Sequence, residues 1–199
     1  MKSRYICRFE ENISAAENLE PLYSFLCSNA ENMDATYLLR SEFVLIVSAL
    51  DTYMHMVVED KIVDSFCGIG SISTALEIPI YKIKEVIMID DEIDRKGMFR
   101  NIIRDRLKQD SFQSPKSIEY AFGLIGIKKI WSSIKETMEM CSDDITNTLG
   151  LIVNRRNMIA HESDRNRVTG ELQEIDLEMV IRCKNFIVKL VNQFETLLN

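Results

Sequence analysis

A chain of 199 residues with 46% hydrophobic and 28% charged residues has the composition of an ordinary globular domain, which excludes disordered, collagen-like and fibrous classes. Only 7 glycines and 3 prolines occur, against roughly 7% and 5% of residues in average proteins, so turns are few and long helices are expected. The 24 Lys and Arg against 31 Asp and Glu leave a net charge of −7, which excludes a generally basic nucleic-acid coat while leaving room for a local basic patch.

The five cysteines, Cys7, Cys27, Cys67, Cys141 and Cys183, are odd in number and nowhere form a C-x-x-C pair. Neither a disulfide framework nor a zinc ribbon is encoded, and a reducing compartment is expected. Residues 1–8 (MKSRYICR) lack the apolar stretch of a signal peptide, and no uncharged apolar run reaches the ~18 residues of a membrane span. The expectation is a cytoplasmic protein with no membrane partner.

In chain order, Ser14 with Glu17 reads as a capping box, and Pro21 as a restart or kink of a first helical segment around Leu22, Phe25 and Leu26. A long helix is predicted from about Ala35 to Val63 on the stripe Leu39, Phe43, Ile46, Leu50, Tyr53/Met54 and Val57. Gly68, Gly70 and Ser71 to Thr74 read as a loop. Short helices follow Pro79, with strand as the alternative over Val86 to Ile89. A basic helix is expected from Phe99 to Gln109, and Ser114-Pro115 is an N-cap with a first-turn proline. Ser142, followed by Asp143 and Asp144, opens a helix whose stripe is Ile145, Leu149, Ile152 and Ile159. Residues 164–171 (DRNRVTGE) read as a polar loop. Leu172, Ile175, Met179, Cys183, Phe186, Leu190, Phe194 and Leu197 recur every three or four residues, as in a helix of about seven turns with one buried face. The fold class expected is all-α: an up-and-down bundle of about four long helices forming a single domain over residues 1–199, with a smaller helical insertion over residues 66–140.

The most informative stretch is Asn154 to Asp164, NRRNMIAHESD. On a regular helix Leu149, Ile152, Arg156 and Ile159 all fall within about 40° of Ile145, so Arg156 sits inside the apolar stripe. A guanidinium there needs a partner or must snorkel, because taking it out of water is costly. His161 is one of only two histidines in the chain, and five residues correspond to about 140° of rotation, so it cannot share a face with Arg156. Either the helix breaks between Ile159 and Ser163, or the pair converges with the same pair of a second chain across a two-fold axis. A histidine to relay a proton, an arginine to hold phosphate and an asparagine to orient a partner are together what phosphodiester cleavage without a metal requires.

Arg156-Asn157-Met158-Ile159-Ala160-His161 resembles the arginine, polar residue, three residues, histidine signature of the HEPN superfamily of helical ribonucleases. The continuation His161-Glu162-Ser163-Asp164, with Leu39-Arg40-Ser41-Glu42 through Ser48-Ala49-Leu50-Asp51, is similar in particular to the RiboL-PSP-associated branch. The resemblance implies a metal-independent endoribonuclease that cuts single-stranded RNA by attack of the 2′-hydroxyl. It also implies a homodimer with a composite active site, and a toxin, phage-defence or stress setting with a possible antitoxin or regulatory partner. On the motif, His161 becomes the general acid or base, Arg156 the phosphate clamp and Asn157 the orienter. Ser163 stands where toxins modified by a nucleotidyltransferase antitoxin carry tyrosine, which speaks against that partnership. The alternative is a non-catalytic helical dimerisation module.

Candidate RNA contacts are the basic group around the motif, Arg155, Arg165, Arg167 and Arg182, with Asp51 placed near His161 if its helix face lines the dimer cleft. The stripe Arg100, Arg104 and Lys108 is a second basic surface or a solvated face. Asp51 and His55 read as an exposed i, i+4 pair. No cofactor is expected. There is no H-E-x-x-H and no Cys/His cluster, and the acidic run Asp90, Asp91, Glu92 and Asp94 lacks a calcium loop's spacing and reads as a helix start. Gly68 to Ser73 fails as a dinucleotide fingerprint, lacking a third glycine and a preceding strand.

Overall fold

The computed structural model describes residues 2–30, 32–68 and 76–198. These are all-α: nine helices among the described residues, and no strand there beyond an isolated bridge between Arg165 and Leu172. The expected loop and the failed dinucleotide fingerprint after Gly68 fall on residues 69–75, outside the described ones.

The chain forms two compact units, Met1–Tyr53 with Trp131–Asn199, and Met54–Ile130. The first unit is built from α1 (Arg4–Glu17), α2 (Leu19–Asn29), the opening turns of α3 (Thr36–Phe66), α7 (Ile130–Met138), α8 (Ser142–Glu162) and α9 (Leu177–Leu198). Its core is the α3 stripe Leu39, Phe43, Ile46, Leu50 and Tyr53 with Val180, Ile187, Leu190 and Phe194 of α9, all buried. Each such side chain contributes about 1.5–3 kcal/mol through removal from water. By length and composition α3 is apolar enough to cross a membrane, with a mean hydropathy of 1.3 over its best window, yet 56% of that window is buried inside the protein.

The first helix begins well before the expected capping box. Ser3 accepts the Ile6 N–H at 3.2 Å and opens α1, whose buried stripe is Ile6, Phe9, Ile13 and Ala16. Ser14 therefore lies inside a helix, where its hydroxyl is not needed as a cap. Pro21 falls near the start of α2, as expected of a residue with no N–H to offer. At the other end of the chain α9 starts at Leu177, not at Leu172, because the Asp176 carboxylate accepts the Met179 N–H at 2.7 Å and Leu172 pairs with Arg165 instead.

Several core polar groups of this unit are satisfied across helices, and Glu42 is not. Tyr53 donates to Glu195 at 2.9 Å, and the other Glu195 oxygen accepts from Ser3 at 2.8 Å. Lys184 of α9 holds Glu17 and Glu20 at 2.8 Å each. Beside them Glu42 of α3 is fully buried, and neither of its oxygens has a hydrogen-bond partner among the described residues. Burial, then the negative charge of Glu20, pushes its carboxyl from 4.5 up to about 7. The unfolded chain gives up this proton from about pH 4.5 upward while the folded one keeps it, so stability falls as pH rises from 4.5 to about 7 and the full cost applies above that. The cost is on the order of 3 kcal/mol. Glu42→Gln is expected to raise the melting temperature little at about pH 5 and clearly at about pH 8. Thermal melts of both proteins at the two pH values check this, and a difference that stays constant contradicts it.

The second unit comprises the rest of α3 with α4 (Ile80–Ile87), α5 (Glu92–Leu107) and α6 (Pro115–Leu124). Residues 80–87 are helical, which settles the strand alternative. The acidic run is a helix start: Asp91 caps α5 by accepting the Asp94 N–H at 2.9 Å. Ser114 and Ser117 form a reciprocal capping box behind Pro115. Phe66 stacks on Phe99 with ring centroids 4.0 Å apart.

The Arg100, Arg104, Lys108 stripe does not present free charge. Arg100 and Arg104 both reach Glu59 at 2.9 Å, Arg100 also binds Asp60, and Lys108 pairs with Asp105 at 2.6 Å. Burial opposes ionisation of Glu59, but the hydrogen bonds from Arg104 and Arg100 outweigh it and hold its carboxyl below the usual range. His55 is half-buried, tilted against Phe112 at 4.6 Å with Nε2 3.2 Å from the Asp110 carbonyl.

Candidate active site

The site is built at the C-terminal end of α8. Cys141, one residue before the expected cap, accepts the Asp144 N–H at 3.4 Å and opens the helix. The stripe is fully buried at Ile145 and Leu149 and only half-buried at Ile152, Arg156 and Ile159. The helix thus leaves the core as it approaches the motif, which is how a guanidinium comes to lie in an apolar stripe without being sealed in.

Helix α8 continues without interruption through Glu162. Of the two ways to bring Arg156 and His161 together, a break in the helix is therefore removed. Their side chains leave the same regular helix about 140° apart and about 7.5 Å along its axis.

Arg156 donates from Nη1 to Asn157 Oδ1 at 3.0 Å, and its buried Nε has no partner among the described residues. His161 is exposed, and its ring makes no hydrogen bond or ion pair within the described chain. The three motif residues thus keep unsatisfied hydrogen-bonding capacity at one helix end. That is unlike a structural ion cluster, whose members use up their donors on one another.

Immediately beyond the motif the chain turns sharply. Ser163 and Asp164 both adopt the left-handed region, with φ of 53° and 55°, a conformation costing roughly 1–3 kcal/mol for each non-glycine residue. The Met158 carbonyl accepts the N–H groups of both residues. The Asp164 side chain is completely buried, and its Oδ2 accepts from Arg40 Nε at 2.8 Å and Arg155 Nη2 at 2.9 Å. Arg40 also reaches Thr36 Oγ1 and the Gln173 carbonyl, and Arg155 reaches Gln173 Oε1 and the Glu174 carbonyl. This ion network closes the end of α8 onto α3 and onto the approach to α9.

Arg155, expected among RNA contacts, uses its donors on the fully buried Asp164 and on Gln173 and Glu174. Burial lowers its guanidinium from the ordinary value, with Asp164 opposing that. Arg165 and Arg167 lie exposed on the turn after the motif, donating to the Gly170 carbonyl at 2.8 Å and to Glu162 at 2.9 Å. The Arg167 hydrogen bond holds the Glu162 carboxyl low. Arg182, on α9, pairs with Glu178 at 2.7 Å. Asp51 is half-buried on α3, about 16 Å along the axis from Arg40, the α3 residue that meets the turn after the motif. Arg40 and Asp164 are the positions sequence reasoning missed. The available signal was a lone arginine in the apolar run of α3, with nothing nearby to name its counter-ion.

A groove of about 460 Å³ opens beside the motif, lined by Tyr37, Arg40, Ser41, Val44 and Leu45 of α3 and by Ile159 and Ser163 of the α8 end. Neither Arg156 nor His161 is among its lining residues. Among the described residues no group of three or more His, Cys, Asp or Glu side chains gathers where it could hold a metal.

No curated protein and no solved structure matches the chain. The family model described as RiboL-PSP-HEPN matches residues 10–199, which include all of α8, both members of the motif and the Arg40 to Asp164 network, and the chain belongs to that HEPN family.

Proposed function

We propose that the protein is an endoribonuclease that cuts single-stranded RNA without a metal, working as a homodimer whose two motifs face one cleft. The observation that carries this reading is the unbroken helix through Glu162. It leaves Arg156 and His161 unsatisfied and on different faces, so a second copy completes the arrangement that one copy lacks.

In the cleft an imidazole takes the proton of the ribose 2′-hydroxyl as the 2′-oxygen bonds to the adjacent phosphorus. The phosphorus–5′-oxygen bond breaks, and a second, protonated imidazole gives its proton to the departing oxygen. A 2′,3′-cyclic phosphate and a 5′-hydroxyl result. Arg156 holds the non-bridging oxygens and the charge that grows on them, and Asn157, which accepts from Arg156 at 3.0 Å, sets the guanidinium plane. Arg165 on the following turn supplies positive charge for the flanking strand, and Arg167 does so where a phosphate replaces Glu162 as its partner. The setting as a toxin, defence or stress effector, and any antitoxin or regulator, is part of the same proposal and rests on family membership.

The test is incubation of purified protein with mixed single-stranded RNA in excess chelator, wild type beside Arg156→Ala and His161→Ala. Cutting that leaves cyclic phosphate ends and disappears in both variants supports the reading. An inert wild type would mean a dimerisation module, and cutting indifferent to both substitutions would place the chemistry elsewhere.

A further inference from the structure

The groove between α3 and α8 has features that the cleavage chemistry does not use. Tyr37, Ser41, Val44 and Leu45 follow one another at the spacing of a single helix face, and Ile159 of α8 with Ser163 at its C-cap closes the other side. Tyr37 is 52% exposed, and the Arg40 guanidinium carbon lies 5.5 Å from its ring centroid. Arg40 is itself fixed by Asp164, Thr36 and Gln173. The ring is thus anchored by a cation that is already immobile, so a second planar group can stack on it at little further entropy cost.

The groove's polar groups are few and defined. Ser41 donates to the Tyr37 carbonyl at 2.9 Å, which leaves its oxygen as an acceptor. The Ser163 hydroxyl has no partner among the described residues and can donate or accept. Val44, Leu45 and Ile159 supply apolar walls. On α8, Ile159 lies about 60° from Arg156 and about 160° from His161, and Ser163 follows where the chain turns out of the helix. The groove therefore goes with the phosphate clamp of its own copy and not with the imidazole of its own copy. Although the chain carries −7 overall, Arg156 and Arg165 place positive charge at this helix end, where Glu162 is already paired with Arg167, as a polyanionic strand would need.

We infer that the groove is a base subsite. It takes one unpaired RNA nucleobase, stacked on Tyr37 and met at its edge by Ser41 and Ser163, from the nucleotide whose phosphate Arg156 grips. The inference rests on the ribonuclease reading and adds to it a reason for cutting single strands, since a paired base cannot leave its stack to enter the groove.

The test measures binding of a short single-stranded RNA and of the same RNA made abasic at one position at a time. The chain carries His161→Ala so that nothing is cut, with Tyr37 as wild type, Tyr37→Phe or Tyr37→Leu. Loss of a stacked base is expected to weaken binding about 5- to 150-fold at one position. Tyr37→Phe keeps this pattern. Tyr37→Leu weakens the intact RNA by a similar factor, and the abasic change then costs nothing more. Independent, multiplying effects of Leu and abasic site overturn the subsite, as does full-strength binding by Tyr37→Leu. A Tyr37→Leu chain that changes its oligomeric state instead marks the groove as an interface between copies and also overturns it. If the Tyr37 wild-type chain binds no RNA, the ribonuclease reading fails and the subsite with it. RNA binding that is indifferent to Tyr37 removes the subsite alone.

Discussion

His161→Ala is expected to lower RNA cleavage by about 10²- to 10⁴-fold, the usual worth of a positioned proton relay, while leaving the fold intact. The two halves of this expectation have separate causes. The ring is exposed on the last turn of α8 and makes no hydrogen bond or ion pair within the described chain, so truncation removes little packing and no buried partner. Surface changes of that kind stay within about 0.5 kcal/mol. A cation near a helix C-terminus adds at most roughly 1 kcal/mol when charged, and the melting temperature should move by no more than about 4 °C in a chain of this size. Activity loss beside an unmoved melt separates a chemical role from a structural one. If the cleft needs an imidazole from each copy, co-expressing the two chains should give activity per wild-type chain that falls in proportion to the wild-type fraction, because mixed dimers lack one of the pair. Activity per wild-type chain that stays flat would mean that each copy works alone, which the unbroken helix argues against.

How far the molecule could be read from its residues depended on range. The α3 stripe repeats a 3.6-residue period many times, and its buried face emerged where that period placed it. Within α9 the expected stripe is buried only at Cys183, Leu190 and Phe194: Met179 and Leu197 are exposed, and Val180, Ile187 and Val191 complete the buried face. The short-range signs were less secure. Ser14 with Glu17 has the spacing of a capping box, but such pairs recur by chance, and the in-phase Ile6, Phe9, Ile13 and Ala16 show the helix already running there. Leu172 and Ile175 are in phase with α9 yet precede it, because the bridge to Arg165 and the Asp176 cap outcompete the helix locally. At the site, the unusual phase of Arg156 and His161 was visible in eleven letters. The role of Arg155 was not, since its partners lie nine and eighteen residues on and the companion cation Arg40 is 124 residues from Asp164. A local window shows a charge but not what neutralises it.

That hidden network leads to the largest stability effect expected of a single substitution. Asp164→Ala would leave two guanidiniums, of Arg40 and Arg155, without the fully buried carboxylate that both face, and breaking such a cluster from one side costs about 3–5 kcal/mol. Alanine would also hold poorly the left-handed backbone that Asp164 adopts at φ 55°, a region that asparagine and aspartate tolerate better than most residues. Asp164→Asn keeps both the turn and an acceptor for the guanidiniums but not the charge, so its loss should lie nearer to the roughly 1.5–3 kcal/mol of charged hydrogen bonds. Urea unfolding of the three proteins checks the order wild type, Asn, Ala. An Ala variant within about 1 kcal/mol of wild type would mean that water repays the network, against its burial. Cleavage provides the second readout. The turn at Asp164 begins two residues after His161, and a displacement of about 1 Å at a reacting group can cost on the order of 10²-fold in rate. Asp164→Ala should therefore lose activity even at temperatures where it remains folded, with Asp164→Asn restoring part of it, because the ion network holds the turn that begins two residues after His161.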